Sequence, residues 1–329
     1  MSLARFVLRR VLQGLFVIWG VITVVFALRF VTPGSPVDAV APLDASPELR
    51  ARIAQELGLD QPIYVQYVDY LFGLLQGDMG YSYISGTPAA VRVFARLPAT
   101  IELAVAATLV ALVFSIPLGV ISATRRHKPA DYAATSFSLV GISTPNFWLG
   151  IMLILIVSVN LGLLPTSRRP IGLLPALELL VFQLEVTGVR TWIAHMILPA
   201  LTLGTYFTAL IVRLTRSGML DELGKSYVRA TRAKGLPETL VRYKHVLRNT
   251  LIPIVTILGL QLGTLIGGAV ITEFVFSWPG LGTLVINAIT SRDWTIIQGS
   301  LIVIGAGFVI VNTAVDVLYA TINPQVIYD

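Results

Sequence analysis

The chain has 329 residues, 55% of them hydrophobic and only 13% charged, against about 25% charged in a soluble domain. That shortage, gathered into long uncharged runs at a mean hydropathy of +0.79, excludes an ordinary soluble protein and indicates a polytopic membrane protein. The net charge of +6 fits nucleic acid or basic membrane-flanking loops, depending on its location, while the absence of cysteine excludes disulfides, thiolate metal sites and cysteine nucleophiles.

The N-terminal RFVLRR followed by Val11–Leu28 begins like a signal peptide, but the apolar run is too long and RFVTPGSP offers no small-x-small cleavage site. It reads as a retained first transmembrane helix. Crossing a ~30 Å hydrocarbon core takes about 20 apolar residues. Six segments qualify: Val11–Phe30, Leu97–Ala123, Ala133–Leu161, Trp192–Val212, Leu251–Ile271 and Ile296–Ala320. Pro117, Pro145, Pro199 and Pro253 fall within or at the ends of these spans. Neighbouring helices can re-satisfy the freed carbonyls, so kinks rather than breaks are expected.

Two connections are long. Residues 31–95 carry prolines and acidic residues, and in SPELRARIAQELGL Ser46 suits an N-cap, Pro47 the first helical position and Glu48 the first turn. Residues 162–191 carry Arg168, Arg169, Glu178 and Glu185. With the N-terminus inside, 15 of the 24 Lys and Arg fall in internal segments, and in the short loops Arg125, Arg126 and Lys128 oppose a single Arg292. Positive charge marks the cytoplasmic side, so both termini are expected there. The organisation is then an N-terminus and first helix over 1–30, an extracytoplasmic segment over 31–95, and a five-helix core over 96–329 with a cytoplasmic loop at 213–250.

Within that loop stands the stretch YVRATRAKGLPETLVRYKHVLRNTLIP, Tyr227–Pro253, with six Lys or Arg and one His. Ser226 can cap a helix starting at Tyr227, Lys234 suits its last turn and Gly235 the left-handed position after it. Pro237 fits the first position of a second helix, with Glu238 beside it. Leu236, Leu240, Tyr243, Leu247 and Leu251 form one apolar face leading into the fifth span. A two-turn helix is not stable in water by itself. It must pack against something, and Ala230 and Ala233 leave room for close approach.

Here the sequence resembles the cytoplasmic coupling motif of ABC-importer permeases: Glu-Ala-Ala, three residues, Gly, nine residues, Ile-x-Leu-Pro. Arg229-Ala230-Thr231 takes the Glu-Ala-Ala place, Gly235 falls at the matching distance, and His245-x-Leu247-Arg248 replaces the last element. RATRAKGL and HVLRN are similar to the dipeptide/oligopeptide/nickel branch, specifically its first permease subunit. PGSPV, LGLDQPIYVQYVDYL, GDMGYS, RLPATIELA, STPNFWLG, EFVFSWPGLG and VDVLYATINP resemble that branch in the same order along nearly the whole chain. The ending NPQ departs from its DPR-like pattern.

The resemblance implies an all-α integral membrane protein with the six-helix type I ABC importer permease (MetI-like) fold. It implies a cell-membrane location and a path for di- or oligopeptides or related small solutes. The partners implied are a second, homologous permease, two ATP-binding subunits using ATP and Mg, and an extracytoplasmic substrate-binding protein. This chain would bind no cofactor or metal and have no catalytic residue. Arg229, Ala230, Thr231, Ala233, Lys234, Gly235 and Leu236 would form the ATPase-docking surface.

Rival readings find less in the residues. Around Gly224-Lys225-Ser226 a Walker A motif would need glycine at Met219, and Gly218 is one residue off. His127, His195 and His245 lie in separate loops or ends, with no HExxH and no nucleophile elbow. Charge beside membrane spans is a consequence of topology, which weakens the nucleic-acid reading, and some of these residues would meet anionic lipid. A secondary transporter without an ATPase commonly shows internal repeats and midplane charges, and neither is visible. Glu102, Arg213 and Asp316 sit near span ends, where snorkelling or a structural ion pair competes with a functional role. Gly259, Gly263 and Gly267 permit close helix approach, as a moving contact or gate or as static packing. Thr256, Gln261 and Thr264 could line a polar path on the same span.

Overall fold

The computed structural model describes residues 3–31, 37, 41–42, 44–166 and 168–322. The PGSPV stretch apart from Val37, and the NPQ tail, lie outside them. Helix α1 (Leu3–Val31) is succeeded by α2 (Pro47–Glu56), which starts as the sequence predicts: Pro47 is at the first position and the Ser46 hydroxyl accepts the Leu49 N–H at 3.3 Å. Helix α3 (Ile63–Leu75) is too short for the span pattern to reveal. It lies along α1, with the Tyr67 hydroxyl 2.6 Å from Thr23 Oγ1 and Phe26 packed on Tyr67 and Tyr70 at ring distances of 5.2 and 5.7 Å. A two-residue hairpin, β1 (Tyr81–Ser82) antiparallel to β2 (Thr87–Pro88), pairs Tyr81 with Pro88 and Ser82 with Thr87. The Ser82 hydroxyl donates to buried Asp293, which ties this hairpin to the far end of the chain.

Helix α4 (Ala89–Thr124) is the axis of the molecule. Its 36 residues rise about 54 Å, and three buried clusters line it from one end to the other. Ala89 and Val93 join Leu281, Leu284, Ile296 and Ile297 at the first end. Ala99, Leu103, Ala104, Ala107 and Ala111 meet Met196, Ala200, Leu203, Phe207 and Ile211 in the middle. Val120 and Ala123 reach Met219, Val228, Val241 and Val246 at the last.

The middle partner is α8 (Thr187–Leu223), which like α4 runs unbroken through its internal prolines, Pro199 in α8 and Pro98 and Pro117 in α4. The contact is close because the face is small. A Cβ at Gly204 would stand 2.8 Å from the Ala107 carbonyl oxygen. Small residues are what membrane helices use to bring backbones together, since lipid offers no hydrophobic drive between them.

The third expected span differs from the kink anticipated at Pro145. It is two helices, α5 (Pro129–Ser143) and α6 (Asn146–Leu153, continued by a π-helical turn over Ile154–Asn160), bent by 106°. Thr144 is extended, with ψ 124°, as a residue before proline prefers. The break is therefore local and steric. Asp131, in the first turn of α5, is 2% exposed and takes two bonds from Arg216 of α8, at 2.6 and 3.0 Å. It also accepts the Ser122 hydroxyl at 2.6 Å and the His127 N–H at 2.9 Å. This pair, its carboxylate buried and its guanidinium partly exposed, ties α4, α5 and α8 together.

Helix α7 (Leu173–Gln183) fills the second long connection. After α8 come α9 (Ser226–Ala233) and α10 (Glu238–Leu240), which passes through a π-helical segment, Val241–Val246, into α11 (Leu247–Gly268). The two halves about Pro253 are bent by 42°. The chain ends with α12 (Val270–Val275), α13 (Leu281–Ser291) and α14 (Trp294–Ile322). The EFVFSWPGLG stretch folds back between α12 and α13. Fully buried Glu273 accepts the Thr100 hydroxyl at 2.6 Å and the Thr283 N–H at 3.1 Å, while the Trp278 indole donates to the Ala99 carbonyl at 2.8 Å.

Among the described residues, helices α1, α4, α8 and α14 are each long and apolar enough to cross a bilayer, and counting each bent pair as one span gives six.

Two substitutions test this frame. Gly204→Leu should wedge α4 from α8 and cost about 1–3 kcal/mol, read as a lower thermal midpoint in detergent. Arg216→Met should leave Asp131 without its cation but with its Ser122 and His127 N–H donors, and cost about 1–3 kcal/mol, read in the same assay. A melting curve unchanged in either variant would contradict the corresponding packing.

Candidate coupling surface

The short helix α9 is held by one buried side chain and tied at both ends. Val228 is 0% exposed and inserts among Val120 and Ala123 of α4, Met219 of α8 and Val241 and Val246 of the π-helical segment. At the start, the Tyr227 hydroxyl donates to Glu222 at 2.7 Å and accepts from the Asn249 amide at 3.2 Å, and Glu222 also holds Lys225. Burial, with the Glu222 carboxylate beside it, pushes the Tyr227 phenol above its ordinary pKa and keeps it a neutral donor. At the other end, Glu238 accepts from Arg232 at 3.1 and 2.8 Å and from Arg242 at 2.8 Å. One carboxylate thus staples the two helices across the glycine corner. These ties satisfy the short helix's need for support.

The residues singled out from sequence divide by exposure. Arg229, Ala230, Ala233, Lys234 and Gly235 are exposed together on the outer side of α9 and its corner. Gly235 has φ +75°, the left-handed conformation expected of it, with no atom near enough to crowd a Cβ. Thr231 is half-buried and spends its hydroxyl on the Val228 carbonyl at 2.8 Å. Leu236 is half-buried against the cluster that holds Val228.

Three local expectations shift. The helix begins at Ser226 itself, and Lys225, extended at ψ 155°, takes the cap position without a side-chain bond. Pro237 likewise caps α10 instead of opening it, leaving Glu238 as the first helical residue. The apolar face is also rotated: Val241 and Val246 are fully buried while Tyr243 is 58% exposed. The cause is the π-helical turn, whose i→i+5 hydrogen bonds widen the repeat beyond 3.6 residues and so change which side chains face inward.

The other sequence-predicted residues lie elsewhere. Glu102, on α4, accepts from Arg169 at 2.9 and 2.6 Å, from the Trp192 indole at 3.0 Å and from the Leu173 N–H at 3.0 Å. Asp316 of α14 pairs with Arg10 of α1 at 3.1 Å. Arg213 is exposed on α8 beside a cavity it shares with Ser138 and Arg216. Gly259 and Gly263 both face α14: a Cβ would fall 1.9 Å from Val315 Cγ1 at the first and 2.9 Å from the Asn312 amide at the second. The packing of Gly267 and Thr256 lies outside the described residues. Thr264 donates to the Gln261 carbonyl at 2.7 Å.

Sequence reasoning passed over Glu222, Tyr227, Glu238 and Arg242 as supports, and Asp131 with Arg216. Glu238 to Arg242 is an i,i+4 pair readable from spacing. Asp131 and Arg216 are 85 residues apart, beyond any local pattern. Among the described residues, no group of three or more His, Cys, Asp or Glu is placed to hold a metal.

Comparison with known proteins agrees along the whole chain. Residues 115–328 match the binding-protein-dependent transport system inner membrane component family, and residues 3–104 match the N-terminal family of such components. The chain is 41% identical to the dipeptide transport system permease protein DppB of Escherichia coli (strain K12), with 98% of each chain covered. It is 38% identical to the oligopeptide transport system permease protein AppB of Bacillus subtilis (strain 168), covering 99% of this chain and 100% of the relative. It is also 38% identical to the glutathione transport system permease protein GsiC of Salmonella typhi, covering 98% and 99%. A chain from an inward-facing structure of the MetNI methionine ABC transporter superposes with a TM-score of 0.56 at 16% identity, over 70% of this chain and 96% of that one. That last likeness concerns the fold alone. A short helix tied to three spans, on a six-span all-α frame with these relatives, belongs to a permease subunit and not to an ATPase: the chain is a member of the binding-protein-dependent transport system inner membrane component family, in its dipeptide/oligopeptide branch of ABC importers.

Proposed function

We propose that the chain lines, with a second and homologous permease, the path by which di- or oligopeptides or related small solutes enter the cell. The names of its relatives support peptides as the solute class. In this reading an extracytoplasmic binding protein delivers the solute, and two partner subunits hydrolyse ATP with Mg. Both termini and the 213–250 loop are cytoplasmic, and residues 31–95 lie outside.

The observation that carries the reading is the build of α9. Val228 is its one buried residue, while the small and basic residues of its outer side are exposed together. We assign that side to a groove of the partner ATPase, a helix-in-groove contact. Ala230 and Ala233 allow close approach there. Movement of α9 would pass through Val228 directly to α4, α8 and the lead-in to α11, since all three supply the walls of its socket. ATP then drives import only if ATP-bound and nucleotide-free ATPases favour different permease states.

Gly235→Asp tests the docking role. Aspartate tolerates the left-handed conformation better than most residues, and the position is open, so the protein should reach the membrane in normal amount. Peptide uptake should fall about tenfold or more, while ATP hydrolysis by the complex continues. Normal uptake in that variant would refute the assignment. The orientation is tested separately on the natural cysteine-free background. Gln61→Cys should react with a membrane-impermeant maleimide in intact cells, and Ala233→Cys should react only after permeabilisation and less so when the ATPases are bound.

A further inference from the structure

At the end of α4 remote from α9, a cavity of about 290 Å³ lies between α1, α3, the hairpin and the start of α14. Its lining includes Arg29, Glu56, Tyr70, Arg292, Asp293 and Trp294. One of its polar groups is buried and unsatisfied, and two cations stand beside it, Arg29 partly buried and Arg292 exposed. The Tyr70 hydroxyl is buried without a hydrogen-bond partner, a costly state for a polar group. Its ring is wedged against Phe26 at 5.7 Å, which holds it in place. Among the described residues, neither the Arg29 nor the Arg292 guanidinium has an ion-pair partner. Asp293, which accepts from Ser82 and from the Ile296 N–H, pairs with neither of them among the described residues. Glu56 is the remaining carboxylate, and it is exposed.

The depth of the cavity fits its chemistry. Arg29 lies two residues before the end of α1 at Val31, and Trp294 opens α14. Trp, Tyr and Arg are the residues enriched at the level of lipid headgroups, and the cavity gathers all three at the end of a span. The walls beside it are apolar and exposed: Val24 and Val31 on α1, and Val68, Phe72 and Leu75 on α3. Tyr67 of α3 touches α1 at Thr23, about 12 Å of helix rise below Val31. So α3 sits alongside the apolar part of a spanning helix, and its outer stripe continues that helix's surface.

We propose that this cavity binds the headgroup of a zwitterionic phospholipid carrying a primary ammonium. The phosphate accepts from the Tyr70 hydroxyl and pairs with Arg29 and Arg292. The ammonium turns toward Glu56, which disfavours a headgroup of net negative charge. The acyl chains run down the exposed faces of α1 and α3. The leaflet is set by the orientation proposed above, but the site itself does not depend on it or on the transported solute.

The test is lipid titration of the complete transporter, purified in mild detergent and observed by native mass spectrometry. Phosphatidylethanolamine should be retained by the wild type and bound about tenfold more weakly by Arg29→Gln and by Tyr70→Phe, roughly one charge-assisted hydrogen bond in each case. Phosphatidylglycerol should bind more weakly than phosphatidylethanolamine, and Glu56→Gln should erase that difference. Should Arg29→Gln fail to assemble, Tyr70→Phe carries the test, since it keeps the ring and removes one oxygen. Equal retention by wild type and Tyr70→Phe overturns the proposal. So does phosphatidylglycerol binding as tightly as phosphatidylethanolamine, or occupancy by inorganic phosphate with no lipid retained.

Discussion

Close packing of α4 against α8 sets the frame on which the centre of the protein is built. In a bilayer, lipid tails solvate apolar side chains as well as a neighbouring helix does, so helices associate through contact and geometry. The alanines of α4 and Gly204 of α8 supply that contact by removing side chains from the seam. With this pair fixed, the hairpin and α13 seat on the first end of α4, and α9 seats on the last.

Several carboxylates within this frame are held in complete pairs. Asp131 with Arg216, Glu102 with Arg169 and Asp316 with Arg10 each join different parts of the chain. A lone charge in such surroundings would be costly, whereas a pair with extra donors locks relative positions. Glu273 is the exception: it meets a hydroxyl and backbone N–H groups at the start of α13 instead of a cation. Burial pushes its carboxyl above the ordinary range. The placement makes Glu273 a link between α4, α12 and α13.

The proposed coupling surface shows how far local reasoning reaches. Its helix–glycine–helix form was legible because Gly235 and Pro237 act through their own backbone preferences. The cap position and the apolar face were each displaced, because a tertiary contact overrode the pattern. Val228 must enter its socket, and the π-helical turn carries Val241 and Val246 to the same place. A period of 3.6 drawn on the sequence cannot anticipate a turn of i→i+5. Of the supports of that surface, the Glu238–Arg242 pair follows a local spacing, whereas the bond from Asn249 to Tyr227 joins residues 22 apart and follows none.

Composition and short-range chemistry are written directly in the residues. Hydropathy sets the number of spans, the distribution of Lys and Arg supplies the proposed orientation, and glycine and proline place the corner at 235–237. The order of short motifs identifies the family. Folding in three dimensions settles which residues complete each buried charge and which side of α9 is left open. Those outcomes depend on contacts between residues tens to hundreds of positions apart, such as Asp131 with Arg216 or Ser82 with Asp293. A buried polar group or a small-residue seam has meaning only when its partner is present, and the fold alone supplies the partner.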